Sequence, residues 1–206
     1  VQGYAVAAHR AFAALADRRD EHELARDARE KATHVEEALD RAFWMPDAGF
    51  YALALDRRKQ PRPAITSDPG HLLLMGAVPQ DKASAVVCRL SRDDMWTHYG
   101  IRTHASSEPD FDPYGYHMGT VWPHDNWIIY RGMRATGFNQ EADRLRDALL
   151  RAHEALDGIP ELYAVVDDRI VDLSGKPIRG VHANPLQAWS IGALVDILGD
   201  EEPASP

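Results

Sequence analysis

The 206-residue chain is 45% hydrophobic and 27% charged, with a net charge of −9 and a single cysteine, Cys88. That length supports one domain with a sizeable core, and the composition is that of an ordinary globular protein. The acidic balance argues against a nucleic-acid or anionic-membrane surface, both of which need a basic patch. A lone cysteine excludes an internal disulfide framework or a cysteine-rich metal site.

Taken in chain order, helical patterns dominate. Val1 leads directly into an Ala-rich apolar helix at 4–16, and this start without Met or leader predicts that an N-terminal part of a longer protein precedes it. Residues 21–43 carry Leu24, Ala28, Ala32, Val35, Leu39 and Phe43 at helical spacing, which predicts one buried face. The stretches 50–55 and 63–67 flank the charged turn DRRKQ and predict a hairpin. A short apolar helix is expected at 71–78, and an amphipathic one at 80–91 with Ala83, Val86, Val87 and Leu90 on one side. Residues 92–121 read as a long irregular stretch, and such loops inside a compact domain are usually functional. Pro123 marks the first position of a helix over 123–136. An amphipathic helix follows at 139–156, then a hairpin over 163–173 turning at Asp167 and Asp168, and a second irregular stretch over 172–184. The last helix is expected at 185–198, opening on Pro185, and 200–206 reads as a disordered tail.

The apolar helices (4–16, 71–78, 123–136, 185–198) alternate with the amphipathic ones (21–43, 80–91, 139–156). A helix apolar on most sides needs neighbours on most sides. The alternation predicts two layers, an inner ring and an outer ring, built from helix pairs. No apolar run approaches the roughly 18 residues of a membrane span, and no signal peptide is visible. The single cysteine fits a reducing compartment, so a cytoplasmic location is expected.

Residues 114–127, YGYHMGTVWPHDNW, gather two Tyr, two His, two Trp, an Asp and an Asn at one helix entrance. Flat rings beside hydrogen-bonding groups suit a ligand with apolar faces and many hydroxyls, such as a sugar. Trp122 reads as a ligand contact and Trp127 as core. Tyr116 and His117 either bind hydroxyls or brace the loop. His124, Asp125 and Asn126 fill the first turn, where free N–H groups and the helix dipole favour Asp125. Holding a sugar hydroxyl is the other reading of that carboxylate. Glu161 leaves a loop stiffened by Pro160, as a general base requires; the alternative is a solvated loop carboxylate. His98, His104, His117 and His124 fall close together in sequence, but no pair has the spacing that joins two imidazoles on one helix face. The acid-rich loop 106–115 lacks calcium-loop spacing. No metal and no cofactor are expected.

The segments GIRT at 100–103, YHMGTVWPHDN at 116–126, IPEL at 159–162 and NPLQAWSIGAL at 184–194, in that order, resemble the C-terminal half of bacterial amylo-alpha-1,6-glucosidase or glycogen-debranching-type proteins. The resemblance implies an (α/α)6 barrel, the six-hairpin glycosidase type, present here as a partial barrel over 1–199. It implies an inverting glycoside hydrolase acting on alpha-glucosidic bonds through two carboxylic acids. Glu161 is then the general base. The general acid belongs to an upstream segment that nothing here resembles, so the isolated chain is expected to be inactive. Tyr116, His117, Trp122, His124, Asp125, Arg102 and Gln187 are the implied substrate-binding residues. Arg102 either pairs with Glu161 or binds hydroxyls; Gln187 faces the barrel mouth and Trp189 packs. The partners implied are an oligosaccharide or a small glucoside, together with a missing N-terminal half or a second copy. Two rivals stand beside this reading: a non-catalytic carbohydrate-binding or scaffold helical domain, and an (α/α)6 enzyme on a small glucoside such as glucosylglycerate, or a sugar epimerase.

Overall fold

The computed structural model describes residues 1–200. Seven α-helices lie among them: α1 (Gln2–Asp17), α2 (His22–Phe43), α3 (His71–Leu74), α4 (Gln80–Leu90), α5 (Pro123–Ala135), α6 (Asn139–Leu156) and α7 (Ala188–Gly199). The layering follows the alternation of helix types. The apolar helices α1, α3, α5 and α7 pack in succession, while α2 lies against α1 and α6 against α5 and α7. Among the described residues, no helix is long and apolar enough to cross a membrane.

Two helices differ from expectation. α3 stops at Leu74, because Gly76 takes a left-handed φ of 61° that the helix cannot absorb. A 3-10 turn, Asp68–Gly70, leads into it. α7 does not open on Pro185. Residues 184–186 stay outside the helix and bend at Pro185, with the Leu186 N–H donating to Asn184 Oδ1 and Leu186 bridged to Ile159, and Gln187 caps the helix by accepting from the Ala188 N–H. Tertiary pairing here overrides the proline signal. Of the expected tail, Asp200 caps α7 and accepts hydrogen bonds from Tyr130 Oη and Arg131 Nη1. Residues 201–206 lie outside the described part.

The fold is mostly but not wholly helical. Among the described residues, eight strands form four antiparallel hairpins: β1 (Trp44–Met45) with β2 (Phe50–Tyr51), β3 (Ala54–Leu55) with β4 (Pro61–Arg62), β5 (Trp96–Thr97) with β6 (Gly100–Ile101), and β7 (Tyr163–Val166) with β8 (Arg169–Asp172). The hairpin around DRRKQ forms with β4 at 61–62, ahead of the expected 63–67. The last hairpin turns at Asp167 and Asp168, both left-handed at φ 48° and 57°, the handedness that fits a two-residue hairpin.

The irregular stretch 92–121 is organised by pairing. Thr66 bridges His104, Arg102 bridges Val121, and Val121 exchanges hydrogen bonds with Tyr163. Four chain segments thus meet at the entrance to α5. Asn126, fully buried, fastens this layer to the helix: its Oδ1 accepts from Ile101 N–H at 2.7 Å and its Nδ2 donates to Ile101 O and Trp122 O at 3.0 Å. The main core lies between the helix layers and includes Leu73, Val86, Leu90, Ile129, Met133 and Leu145. A smaller cluster of Trp122, Leu162, Ala164, Leu173 and Ala183 sits beneath the α5 entrance. At the ends of the inner row, Phe12 and Leu15 of α1 and Val195 and Leu198 of α7 are exposed.

Candidate active site

A cleft of about 600 Å³ opens at the N-terminal end of α5. One wall is the parallel pair of His117 and Trp122, with ring centroids 5.2 Å apart. Trp122 is 8% exposed, and its indole N–H is held by Tyr116 O and Thr120 Oγ1 at 3.0 and 3.1 Å. A second parallel pair, His124 and Trp189 at 5.3 Å, lines the same cleft. Trp189 does not pack as its helix pattern predicts. It stands half exposed, because α7 begins three residues later than its proline suggests and presents its first turn to the cleft. Burial lowers the pKa of His124, opposed by Asp125. Trp127 is partly buried, its indole N–H donating to Asp196 Oδ2 at 2.7 Å.

Glu161 is only 9% exposed, so it is not a solvated loop carboxylate. Tyr116 Oη donates to its Oε1 at 2.7 Å, and the Asn184 N–H donates to its Oε2 at 3.2 Å. Its own N–H donates to Asn184 O at 2.8 Å. Two donors hold the carboxylate in one orientation. Burial, with Glu161 alongside, pushes the Tyr116 phenol up to about 12. The Tyr116 ring stands edge-on to both His117 and Trp122, at 4.7 and 4.8 Å. Glu161 therefore meets the cleft wall through Tyr116 and does not itself line it.

Asp125 lines the cleft with partners that local sequence does not reveal. His71 Nε2 contacts Asp125 Oδ1 at 2.6 Å, and Tyr4 Oη contacts His71 Nδ1 at 2.9 Å. Burial opposes charge on His71, but the Asp125 carboxylate, with Asp68 behind it, outweighs burial and raises the pKa. His71 lies 54 positions from Asp125, and Tyr4 a further 67 positions from His71, beyond the reach of any spacing rule. The one available signal is a histidine opening the apolar run HLLL.

Two expected site residues lie elsewhere. Arg102 does not pair with Glu161. Its Nη1 donates to Val165 O at 2.8 Å, and the guanidinium lies over the Phe111 ring. The bridge from Arg102 to Val121 sets its backbone, and Asp168 at the hairpin turn is the charge that acts on its guanidinium. Gln187 serves as the α7 cap and is not part of the cleft wall.

Of the four histidines close in sequence, His104, His117 and His124 line the cleft, while His98 packs edge-on to Tyr99. His104, Glu108 and Asp110 bring potential ligand atoms within 4.8 Å of one another. These atoms already have partners: Asp110 Oδ1 meets His104 Nε2 at 2.8 Å, and Glu108 Oε1 accepts from Ile65 N–H at 3.0 Å. A second, apolar cavity of about 20 Å³ lies between α6 and α7, room for about one water.

Comparison with known proteins follows the same line. Residues 1–177 match the family described as the mannosylglycerate hydrolase MGH1-like glycoside hydrolase domain. The mannosylglycerate hydrolase of Rubrobacter radiotolerans is 28% identical over 197 residues, covering 93% of this chain and 41% of that protein. Among solved structures, the GH63 mannosylglycerate hydrolase from Thermus thermophilus in complex with glucose superposes with a TM-score of 0.71 at 25% identity. That match covers 97% of this chain and 47% of that one. Neutral trehalase from Saccharomyces cerevisiae shares the fold at TM-score 0.63 and 16% identity, over 86% of this chain and 31% of that one. The chain thus matches part of the six-hairpin glycosidase fold and spans less than half the length of these relatives. Its named relatives are mannosylglycerate hydrolases, which replaces the glycogen-debranching assignment suggested by the short motifs. The chain belongs to the mannosylglycerate hydrolase MGH1-like family of glycoside hydrolases.

Proposed function

We propose that the protein carrying this chain hydrolyses a small glycoside, a hexose joined to a small polar aglycone, with Glu161 as the general base. The observation that carries this reading is the Glu161 clamp: a nearly buried carboxylate, fixed by Tyr116 and the Asn184 N–H, beside an aromatic-walled cleft. A base so held, one side chain behind the cleft wall, would take the proton of a water placed against the anomeric carbon at the edge of the cleft beside Tyr116, the role of one carboxylate in inverting hydrolysis. The other carboxylic acid, which protonates the leaving oxygen, we assign to the part of the relatives' domain outside this chain's span. The cleft volume suits a ligand of one or two rings, and the relatives are named for mannosylglycerate. Trp122, His117, His124 and Asp125 are the proposed sugar contacts, with Tyr116 holding the base. Arg102 and Gln187, expected as contacts from the motifs, act in this reading on the hairpin and the α7 cap.

The test is hydrolysis by the protein carrying this chain, assayed on mannosylglycerate, glucosylglycerate, maltose, isomaltose and dextrin. Small glycosides are the expected substrates. Glu161→Gln is expected to lower kcat by about 10²- to 10⁴-fold, the usual contribution of general acid–base catalysis. Unchanged turnover in that variant removes Glu161 from the mechanism, and a preference for dextrin removes the small-substrate reading.

A further inference from the structure

We propose that Asp125 is a specificity-determining acceptor for one hydroxyl of the bound hexose, and that His71 and Tyr4 are its positioning residues. This deepens the glycosidase reading and rests on it for the nature of the ligand. Three residues from α1, α3 and α5 converge through contacts of 2.9 and 2.6 Å. A carboxylate accepts only, so His71 Nε2–H donates to Asp125 Oδ1, and in the neutral imidazole Nδ1 accepts from Tyr4 O–H. That chain fixes the rotation of the carboxylate. Its second oxygen, Oδ2, is buried and has no hydrogen-bond partner, although Asp125 and His71 both line the cleft beside His124 and Trp189.

A helix N-terminus alone would not require this arrangement. A first-turn Asp normally gains from the dipole and the free N–H groups, yet here one oxygen is taken by an imidazole from another helix and the other is left without a donor. A buried acceptor without a donor is costly. A sugar hydroxyl entering the cleft is a donor of the right kind, and a site built to bind a hydroxyl discriminates strongly against a ligand that lacks it. The rival account is a staple that merely joins α3 to α5. A staple weakens the fold and all ligands alike; a positioned acceptor acts on one hydroxyl.

The experiment is a binding cycle in the Glu161→Gln background of the protein carrying this chain, measured by calorimetry with glucose and its monodeoxy analogues. The starting protein is expected to bind one deoxy analogue about 10- to 100-fold more weakly than glucose, the effect of one hydrogen bond to a charged group. Asp125→Ala is expected to weaken glucose by a similar factor and to lose that discrimination. His71→Leu is expected to reproduce the loss, and His71→Gln, which keeps a donor near Nε2, to restore most of it. Discrimination retained in Asp125→Ala, uniform weakening of every analogue, or no glucose binding overturns the proposal. Because the cycle reads binding, its failure leaves the glycosidase reading standing. Retained turnover in Glu161→Gln removes Glu161 as the base, and absence of any glycoside hydrolysis by the parent protein sinks the glycosidase reading, neither of which touches the cycle.

Discussion

Replacing Gly132 with Ala tests how closely the two central inner helices approach. A Cβ at Gly132 would lie 2.7 Å from Leu73 Cβ and 2.7 Å from the Leu74 backbone nitrogen. In an open helix, Gly→Ala gains about 1 kcal/mol from propensity. Here the new methyl meets the backbone of α3, which cannot rotate out of the way, and overpacking of this kind costs about 3 kcal/mol at the upper end of its range. The expected net loss is about 2 kcal/mol, which at this chain length lowers Tm by roughly 4–8 °C. Gly192, inside α7, is the control, since a Cβ there meets nothing within 4 Å. Gly192→Ala should gain about 0.5–1 kcal/mol and raise Tm by roughly 1–4 °C. Scanning calorimetry on the two variants reads opposite signs. A Gly132→Ala protein as stable as its parent, or two shifts of the same sign, would refute the close approach of α3 and α5.

Tyr116→Phe removes the Oη donor from Glu161 Oε1; kcat is expected to fall about tenfold or more, with KM changed less, since a hydrogen bond to a charged group is worth roughly 1.5–3 kcal/mol. Equal loss in kcat and KM with ligand binding weakened in parallel would place Tyr116 in substrate binding instead. The raised pKa of His71 makes a pH prediction. A group that binds its proton more tightly when folded adds stability that is fully present below its unfolded value, about 6.5, and lost as pH rises through the folded one. Urea midpoints should therefore decline with pH above about 6.5, and decline less in His71→Gln; equal slopes would show that the Asp125 contact does not hold the proton.

The helix layering is legible in the sequence because it depends on local periodicity. The apolar stripe of α6 and the mixed pattern of α2 each bury one face, as Leu145 and Ala28 show. Pro123 marks the start of α5 correctly. Pro185 misleads, because the 184–186 segment is held out of the helix by its bridge to Ile159, and pairing at that distance has no local signature. The same limit hides the site's supporting residues. Glu161 can be named from its motif, but the tyrosine that holds it lies 45 positions away and the histidine on Asp125 lies 54 positions away. Trp189 escapes for a related reason: burial of a helix face depends on where the helix begins and on what lies opposite.

The 184–186 segment has a mechanical consequence. It grips Glu161 at two points, the N–H and the Oε2 carboxylate oxygen, and the loop before it at a third, the bridge at Ile159. It then runs without slack into α7, whose far end is clasped to α5 through Asp196 and Asp200. Carboxylate, segment and helix are therefore joined in one unbroken series of contacts that ends on α5. The loop that carries Glu161 is thereby tied, through the length of α7, to the distant end of that helix where it sits on α5.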